Sequence, residues 1–469
     1  MPINNFLLPG AKVTPAYEVA NSCRFNAADS AYMTRTFGSA GNRRTWTFST
    51  WCKRAKFGAQ QTLFGSSADG SNYHLFYWGS DETLTHNFSG TTTSAASGAE
   101  FRDPSAWYHV VCAVDTTQGT AANRVKLYVN GASVGSGSYP SENAEMILNN
   151  NVRCDVGSSG AHFTSHMLGG YLAETVFIDG TQYAASDFGE YDSDSPTIWK
   201  PKDVSGLTFG TNGFWFDYKA SGTLGNDANG GTDWTATNLA ATDPTTDTPT
   251  NNFAVANPLQ AHADTTFDEG NTRTRQLSSA NALIYGISTI GVAKGKWYME
   301  FKHVTNDNDS LYGITTDPSA DHQANNYPGQ QAHSFGFLTS DGNSVTGGSG
   351  SSYGSAAASN NIIGVALDIT NENLYFAVNN TWQDSGDPTS GATGTGAIDI
   401  SGIGAGQGFY FFAAGSDDTS NYDNPSWNFG NPAYSLSSAA NDGNGYGNFE
   451  YAPPSGFLSL CTKNLGSDG

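Results

Sequence analysis

The chain has 469 residues, which is long enough for two or three domains with cores of their own. Only 14% of the residues are charged, whereas 55 are Gly and 13% are aromatic, and this composition favours short strands and tight turns over long helices. The formal net charge of −22 argues against nucleic-acid binding and against binding to an anionic membrane, because both need a positive field.

The first predicted module covers residues 1–200. Residues 46–52 alternate with period two, as a strand does, and 74–78 is a further aromatic strand. An apolar strand at 107–115 ends on an Asp, and an alternating strand at 125–129 follows it. The second strand stops at Asn130-Gly131, which predicts a hairpin turn because both residues tolerate positive φ.

Residues 201–260 are predicted to be a junction that includes the last strand of the first module, at 213–218. Residues 241–253 are rich in Thr, Asp and Pro, so they form either an ordered extended connector or a flexible linker. The side-chain oxygens of Asp227, Asn229 and Asp233 alternate around glycines and could hold Ca²⁺. The terminal bidentate Glu of an EF-hand is missing, and a hydrogen-bonded Asx turn is the alternative.

The second predicted module covers residues 261–435, and a tail segment covers 436–469. The strand pair recurs here, at 362–369 and 374–380. Residues 296–301 alternate so that Trp297, Met299 and Phe301 share one face. Glu300 lies on the other face of this strand and is expected to point into solvent.

These runs carry two family resemblances. The segments WYHVVCAVD, RVKLYVNG and GGYLAETVFIDG resemble concanavalin A-like, laminin-G-like jelly-roll domains. The ordered segments GKWYMEF, LYGI, SFGF, NIIGVALDI, NLYFAVNN, FYFFAA and WNFG are similar, strand by strand, to a SPRY domain. The predicted fold is therefore all-β, with two antiparallel β-sandwich (jelly-roll) domains in tandem and less than about 10% helix.

The tail and residues 247–259 resemble segments of tailed-phage structural proteins that carry these two modules. This resemblance implies a virion protein in a tail fibre, a tail appendage or a capsid-surface fibre. It implies a host-surface glycan or receptor, or other virion proteins, as partners. Phage fibres are commonly trimeric, so the resemblance also implies a homotrimer.

The N-terminus has no basic region or long apolar run, so we expect no signal peptide. No stretch of about 20 apolar residues predicts a transmembrane helix. The five Cys lack a CxxC pattern and lie in strand-like contexts, which indicates buried thiols made in a reducing compartment. We therefore expect synthesis in the host cytoplasm followed by assembly into the virion.

The sequence predicts no catalytic site. It contains no Glu-x-Asp-x-x-Glu run for a retaining glucanase, no HExxH or paired-Cys metal pattern and no Gly-x-Ser-x-Gly elbow. Two alternatives to the virion protein remain. A secreted bacterial carbohydrate-binding adhesin is opposed by the missing signal peptide, and a glucanase-like enzyme is opposed by the missing carboxylates.

Aromatic residues supply the candidate binding sites, because their rings stack on sugar faces. In the first module the candidates are Tyr73, Tyr77, Trp78 and His86, on the sheet that carbohydrate-binding relatives often use. Half of the aromatics on any strand must be core residues. In the second module the candidates are Trp382 and the long polar loops at 319–333, 341–356 and 416–426. The Trp382 ring either contacts a ligand or folds back over the sheet edge.

Overall fold

The computed structural model describes residues 17–95, 99–163, 165–276, 283–304, 309–319, 326–403, 408–416 and 424–468. Strand accounts for 39% of the structure and helix for 7%, which confirms the predicted all-β class and the low helix content. Among the described residues, no helical segment has the length and hydropathy that a bilayer crossing requires.

The first module is a sandwich of two antiparallel sheets, and it also contains a separate two-stranded sheet of Gly189–Tyr191 and Trp199–Pro201. Its strands are β1 (Ser22–Phe25), β2 (Tyr32–Thr36), β3 (Thr45–Arg54), β4 (Gln61–Ser67), β5 (Tyr73–Trp78), β6 (Leu84–Phe88), β7 (Thr91–Ala95), β8 (Trp107–Asp115), β9 (Val125–Val129), β10 (Ala132–Ser133), β11 (Gly135–Gly137), β12 (Arg153–Val156), β13 (Gly170–Asp179), β14 (Gly189–Tyr191), β15 (Trp199–Pro201), β16 (Phe214–Phe216), β17 (Thr235–Thr237) and β18 (Pro244–Thr245). Short 3₁₀ helices span Ala27–Asp29, Ala121–Asn123 and Ala185–Asp187.

One sheet has the order β10-β9-β8-β3-β13-β1-β18, with β16 also on β13, and the other has the order β11-β7-β6-β5-β4-β12-β2-β17. The aromatic core lies between them, with Phe48, Phe64 and Phe177 near its centre. Residues 185–209 pack over the outer face of the first sheet through Phe188, Val204 and their neighbours. The predicted Asn130-Gly131 turn joins β9 to β10, and both residues have positive φ, 47° and 79°.

The second module is also a sandwich. Its strands are β19 (Thr265–Asp268), β20 (Arg273–Gln276), β21 (Leu283–Ile287), β22 (Lys296–Lys302), β23 (Ser310–Thr315), β24 (Ser334–Leu338), β25 (Ser344–Thr346), β26 (Ser349–Ser351), β27 (Ile362–Asp368), β28 (Asn373–Val378), β29 (Thr381–Trp382), β30 (Ile398–Asp399), β31 (Phe411–Ser416), β32 (Ser426–Asn428) and β33 (Leu458–Ser459). The helical segments are Pro258–Gln260, Glu269–Asn271, Gln383–Ser385, Pro388–Thr393 and α1 (Thr462–Asp468).

A nine-stranded sheet has the order β19-β20-β32-β22-β27-β28-β29, with β30 on β28 and β33 on β22. A six-stranded sheet has the order β21-β31-β23-β24-β25-β26. Trp297, Met299 and Phe301 lie in the core between the two sheets, as their spacing predicted. The one parallel pairing among the described strands, between β22 and β33, brings the C-terminal segment onto the larger sheet.

The C-terminal segment covers the outer face of β22, so the expectation that Glu300 points into solvent is wrong. Phe449 and Phe457 pack there against Tyr298 and Tyr375. Glu300 is 0% exposed. Its carboxylate accepts hydrogen bonds from the backbone N–H of Glu450 and of Tyr451, both at 2.8 Å. The tail that follows the second sandwich is therefore part of that module and is anchored by a buried acid.

The junction is an ordered connector and not a flexible linker. Asp247 is buried, and its carboxylate accepts hydrogen bonds from Lys53 Nζ at 2.7 Å and from Trp107 Nε1 at 3.1 Å, both in the first module. The same carboxylate accepts one from Asn431 Nδ2 at 3.3 Å, in the second module. Lys53 also donates to the carbonyl of Phe253 at 2.7 Å. One buried ion pair thus ties both sandwiches to the connector.

A second set of polar contacts joins β1 and β13 of the first module to the connector and to the start of the second module. The buried Arg24 guanidinium lies 3.3 Å from the Glu269 carboxylate and donates to the Thr242 carbonyl at 2.6 Å. The hydroxyl of Tyr171 donates to the carbonyl of Gly270 at 2.9 Å. These polar contacts hold the two modules in one relative orientation.

The five cysteines, Cys23, Cys52, Cys112, Cys154 and Cys461, are all buried free thiols, which confirms that part of the sequence-based prediction. Burial raises the pKa of each, to about 11 for Cys52 and about 12 for Cys154, so the thiols stay protonated at neutral pH. We expect no thiol to react with Ellman's reagent in native protein and all five to react after denaturation. Rapid reaction of a thiol in the native protein would contradict this burial.

Candidate functional site

The outer face of the sheet that contains β5 carries an aromatic, polar surface. Side chains alternate along a strand, so His74, Phe76 and Trp78 point into the core while Tyr73 and Tyr77 point outward. Asn87 lies outward on the neighbouring β6, beside Leu75. With His162, Phe163 and His166 from the loop after β12, these residues form what we call the outer-face patch: Tyr73, Tyr77, Asn87, His162, Phe163 and His166.

The loop after β12 is held on the sheet by hydroxyl groups. The hydroxyl of Ser159 is hydrogen-bonded to that of Thr62, and it lies 3.2 Å from Nδ1 of His166. Ser67 Oγ donates to the Ser159 carbonyl at 2.8 Å and accepts from the His162 N–H at 2.9 Å. The loop therefore has a defined position next to β5.

The rings of the patch contact one another but keep exposed surface. Phe163 packs edge-to-face on Tyr73, with ring centroids 5.3 Å apart, and stacks on His166 at 5.7 Å. Tyr73, Tyr77 and Phe163 are all partly exposed. Such half-buried rings are held in place by their neighbours and still offer a face to a ligand.

Two titratable groups of the patch, Tyr77 and His166, carry no charge at neutral pH. Burial raises the pKa of Tyr77, although a hydrogen bond with Asn87 opposes the shift. Burial lowers the pKa of His166, so that this ring is uncharged at neutral pH. The patch therefore combines aromatic faces with an amide, a phenol and an imidazole that can each hydrogen-bond to hydroxyl groups.

Two of the predicted ligand-binding residues are core residues. Trp78 and His86 are both 0% exposed. The Arg54 guanidinium lies 4.8 Å from the Trp78 ring, and the His86 ring lies 4.6 Å from that of His74. Neither ring has a free face, so only Tyr73 and Tyr77 of the four first-module candidates can contact a ligand.

The predicted calcium ligands make the hydrogen bonds of an Asx turn, which the sequence offered as the alternative. Asp227 Oδ1 accepts from the N–H groups of Trp215 and Asn229, both at 3.0 Å, while Asp233 Oδ1 accepts from the Asp227 N–H at 3.1 Å. The Oδ1 atoms of Asp227 and Asp233 thus serve backbone donors, and Asn229 and Asp233 are exposed residues. No group of three or more His, Cys, Asp or Glu in the described ranges could hold a metal.

The structure brings together two of the predicted loops of the second module. Gln383 Oε1 accepts from the N–H of Ser355 at 2.8 Å, which joins 341–356 to 381–383. The Trp382 ring is partly buried and packs edge-to-face on Tyr375, 6.4 Å between centroids, so it folds back over the sheet edge. Residues 320–325 and 417–423 of the other two predicted loops lie outside the described residues.

Comparison with protein families gives two matches along the chain. Residues 26–181 match the concanavalin A-like lectin/glucanases superfamily, and residues 296–398 match the SPRY domain. The chain contains a concanavalin A-like domain followed by a SPRY domain. The outer-face patch lies in the concanavalin A-like domain, which is the first sandwich.

Similar solved structures each cover part of the chain. The SPRY domain of human HERC1 is 14% identical, with a TM-score of 0.28, over 37% of this chain and 96% of its own. A heptameric SAP-like pentraxin from Limulus polyphemus is 14% identical, with a TM-score of 0.28, over 36% and 81%. A candidate carbohydrate-binding protein from Bacteroides ovatus is 14% identical, with a TM-score of 0.33, over 47% and 58%. None of the curated protein sequences matches this chain.

The sequence-based prediction missed the loop half of the patch. His162, Phe163 and His166 lie about 90 residues after β5, and nothing local indicates that they return to it. A usable signal was present: two His and a Phe occur within five residues, in a stretch otherwise rich in Gly and Ser. Such a cluster in a predicted loop is a reasonable candidate for a binding surface.

Proposed function

We propose that this chain is a non-enzymatic virion protein of a tailed phage that binds a host-surface glycan through the outer-face patch of its concanavalin A-like domain. The observation that carries the proposal is the pair of half-buried, outward rings, Tyr73 and Tyr77, beside neutral hydrogen-bonding groups. Sugars present an apolar ring face and a hydroxyl rim, and the patch matches both.

The phage setting is supported by the resemblance of 247–259 and 436–469 to segments of tailed-phage structural proteins. In that setting the chain belongs to a tail fibre, a tail appendage or a capsid-surface fibre. Weak binding to one sugar becomes useful when several copies act together, so a trimer would raise the avidity. The SPRY domain would then dock on another virion protein or on a receptor.

The described side chains support a binding role and not catalysis. Glu300 is enclosed by the C-terminal segment, so no substrate reaches it. Ser49 Oγ lies 2.9 Å from Nε2 of the buried His109, the distance seen in a nucleophile–base pair. However, Trp199 Nε1 donates to Nδ1 of His109 at 3.0 Å, so the ring proton is on Nε2 and His109 donates to Ser49. That tautomer cannot accept the proton of Ser49.

Replacing Tyr73 and Tyr77 together by Ala is expected to weaken binding to host-surface polysaccharide about 100-fold, roughly tenfold for each ring lost. Titration of purified protein with polysaccharide from the host measures the effect. Tyr191→Ala is the matched control, because Tyr191 is a 52% exposed tyrosine on β14, outside the patch. Unchanged affinity in the double variant would place the glycan site elsewhere. If the wild-type protein binds no host glycan, docking on another virion protein would replace this proposal.

A further inference from the structure

The buried ion pair of Lys53 and Asp247 has a third member, the side-chain amide of Asn252. Lys53 Nζ donates to Asp247 Oδ2 at 2.7 Å and to Asn252 Oδ1 at 2.8 Å. Lys53 lies near the end of β3, whereas Asn252 lies 199 residues later, in the connector. An amine, a carboxyl group and a carboxamide are thus in contact. These three groups are the ones that an amide exchange between two side chains requires.

The amine and the carboxyl group are shielded from water. The Lys53 and Asp247 side chains are 1% and 0% exposed. The centroid of the Tyr171 ring lies 5.8 Å from Lys53 Nζ, and Trp107 Nε1 donates to Asp247 Oδ1 at 3.1 Å. Burial lowers the pKa of Lys53, although the Asp247 charge opposes the shift. Burial therefore favours the neutral amine, which is the nucleophilic form of lysine.

The amine is close to the carbon atom that it would attack. A C=O bond is about 1.2 Å long, so Lys53 Nζ lies within about 4 Å of Asn252 Cγ. Reacting atoms meet at about 3–3.5 Å, so a small movement is enough. The amide is held from its other side, because Asn252 Nδ2 donates to the carbonyl of Ser105. Asn252 is partly exposed, which gives a departing nitrogen a way to solvent.

We propose that Lys53 and Asn252 form an intramolecular isopeptide bond, with Asp247 as the acid–base group. Asp247 takes a proton from the Lys53 ammonium group, and rotation about Cε–Nζ then turns the lone pair of the amine toward Asn252 Cγ. The Nζ–Cγ bond forms and the Cγ–Nδ2 bond breaks, while Asp247 carries protons from Nζ to the departing nitrogen. A primary amide and an alkylammonium group become a secondary amide and an ammonium ion. Atoms and charge therefore balance without another reactant, and the ion pair is the state before the reaction.

The bond would add a covalent link to contacts that are otherwise polar. It closes the loop from β3 to the connector, beside the Asn431 amide of the second module, which donates to Asp247 at 3.3 Å. A link that closes a long loop restricts the unfolded chain, as a disulfide does, and so stabilises the folded state. The bond is independent of glycan binding by the outer-face patch.

Mass spectrometry of the purified full-length chain tests the bond. We expect an intact mass that is lower than the mass of the sequence by one ammonia molecule. An Asn-Gly step can also lose ammonia, so the deciding observation is a branched peptide. After denaturation and proteolysis, this peptide should join the segment around Lys53 to the segment around Asn252. Trypsin should no longer cleave after Lys53, because its amine has become an amide.

Four variants assign the roles of the side chains. Lys53→Met and Asn252→Ala should each restore the full mass and remove the branched peptide, and Asn252→Ala changes a partly exposed residue that the fold tolerates. Asp247→Asn, which keeps the shape of the side chain, should leave most of the chain unlinked. Asn251→Ala is the matched control and should be linked like the wild-type protein, because Asn251 Oδ1 accepts from the Lys463 N–H at 3.3 Å instead.

Two results would overturn the proposal. One is a wild-type chain with the full mass and no branched peptide, which would leave Lys53 and Asp247 as an ion pair. The other is the same loss of ammonia in folded Asn252→Ala, which would place the loss at another asparagine. Circular dichroism of each variant establishes that it is folded. Neither result bears on glycan binding by the outer-face patch.

Discussion

Replacing Asp247 by Ala is expected to lower the free energy of unfolding by about 3–5 kcal/mol. The substitution leaves the Lys53 ammonium buried without its carboxylate, 2.7 Å away in the native protein. It also removes the acceptor for Trp107 Nε1 and for Asn431 Nδ2. Burial already lowers the pKa of Lys53, a shift that the Asp247 charge opposes. Urea unfolding monitored by tryptophan fluorescence measures the loss.

The matched control is an exposed ion pair. Glu145 pairs with Arg43 and Arg44 on the surface of the same domain, and Glu145→Ala should change stability by less than about 1 kcal/mol. The double variant Lys53→Met and Asp247→Leu should recover part of the loss, because it removes both buried charges. If Asp247→Ala is no more destabilising than Glu145→Ala, the connector does not hold the domains together.

The second large effect is expected at Glu300. Glu300→Ala should destabilise the SPRY domain by about 3 kcal/mol, because the N–H groups of Glu450 and Tyr451 and the amide of Asn428 lose their acceptor. The C-terminal segment should detach first. Limited proteolysis that cleaves within 436–468 in the variant, but not in the wild-type protein, would show this detachment.

The same carboxyl group should make stability depend on pH. Burial raises the pKa of Glu300 from 4.5 to about 7, although its hydrogen bonds oppose the shift. The fold favours the protonated acid. The stability that Glu300 contributes is therefore complete below pH 4.5 and is lost as the pH rises to about 7. The loss is about 3 kcal/mol. Other groups titrate in this window, so the measurement is the difference between wild-type protein and Glu300→Gln.

That difference in unfolding free energy should change steadily between pH 4.5 and 7 and be flat outside this window. Glu372→Gln is the control, because Glu372 is exposed on the turn between β27 and β28 of the same domain. A pH profile for Glu300→Gln that runs parallel to the wild-type profile would show that Glu300 has an ordinary pKa in the folded protein.

Period-two alternation and turn residues predicted the two sandwiches because both signals are local. Trp297, Met299 and Phe301 lie on the core face of β22 as their spacing indicated. The Asn130-Gly131 turn needs only two residues that tolerate positive φ. The burial of the thiols could also be predicted, because their neighbours in the sequence are apolar.

The candidate site could be predicted only in part. In β5 both faces carry aromatic residues, so the alternation separates Tyr73 and Tyr77 from Trp78 but does not say which set is the core. That choice depends on which face meets the opposite sheet. The loop that carries His162, Phe163 and His166 is part of the patch because hydroxyl contacts hold it on β4, about 95 residues away in the chain.

The strands, their turns and the tandem order of the two sandwiches could be read from the amino-acid sequence, because each of these depends on neighbouring residues. The enclosure of Glu300 by a tail 150 residues away and the order of the connector at 241–253 became visible only in the three-dimensional structure. These features depend on pairing between distant segments, and the burial of a polar side chain follows from what packs over it and not from the spacing of its own strand.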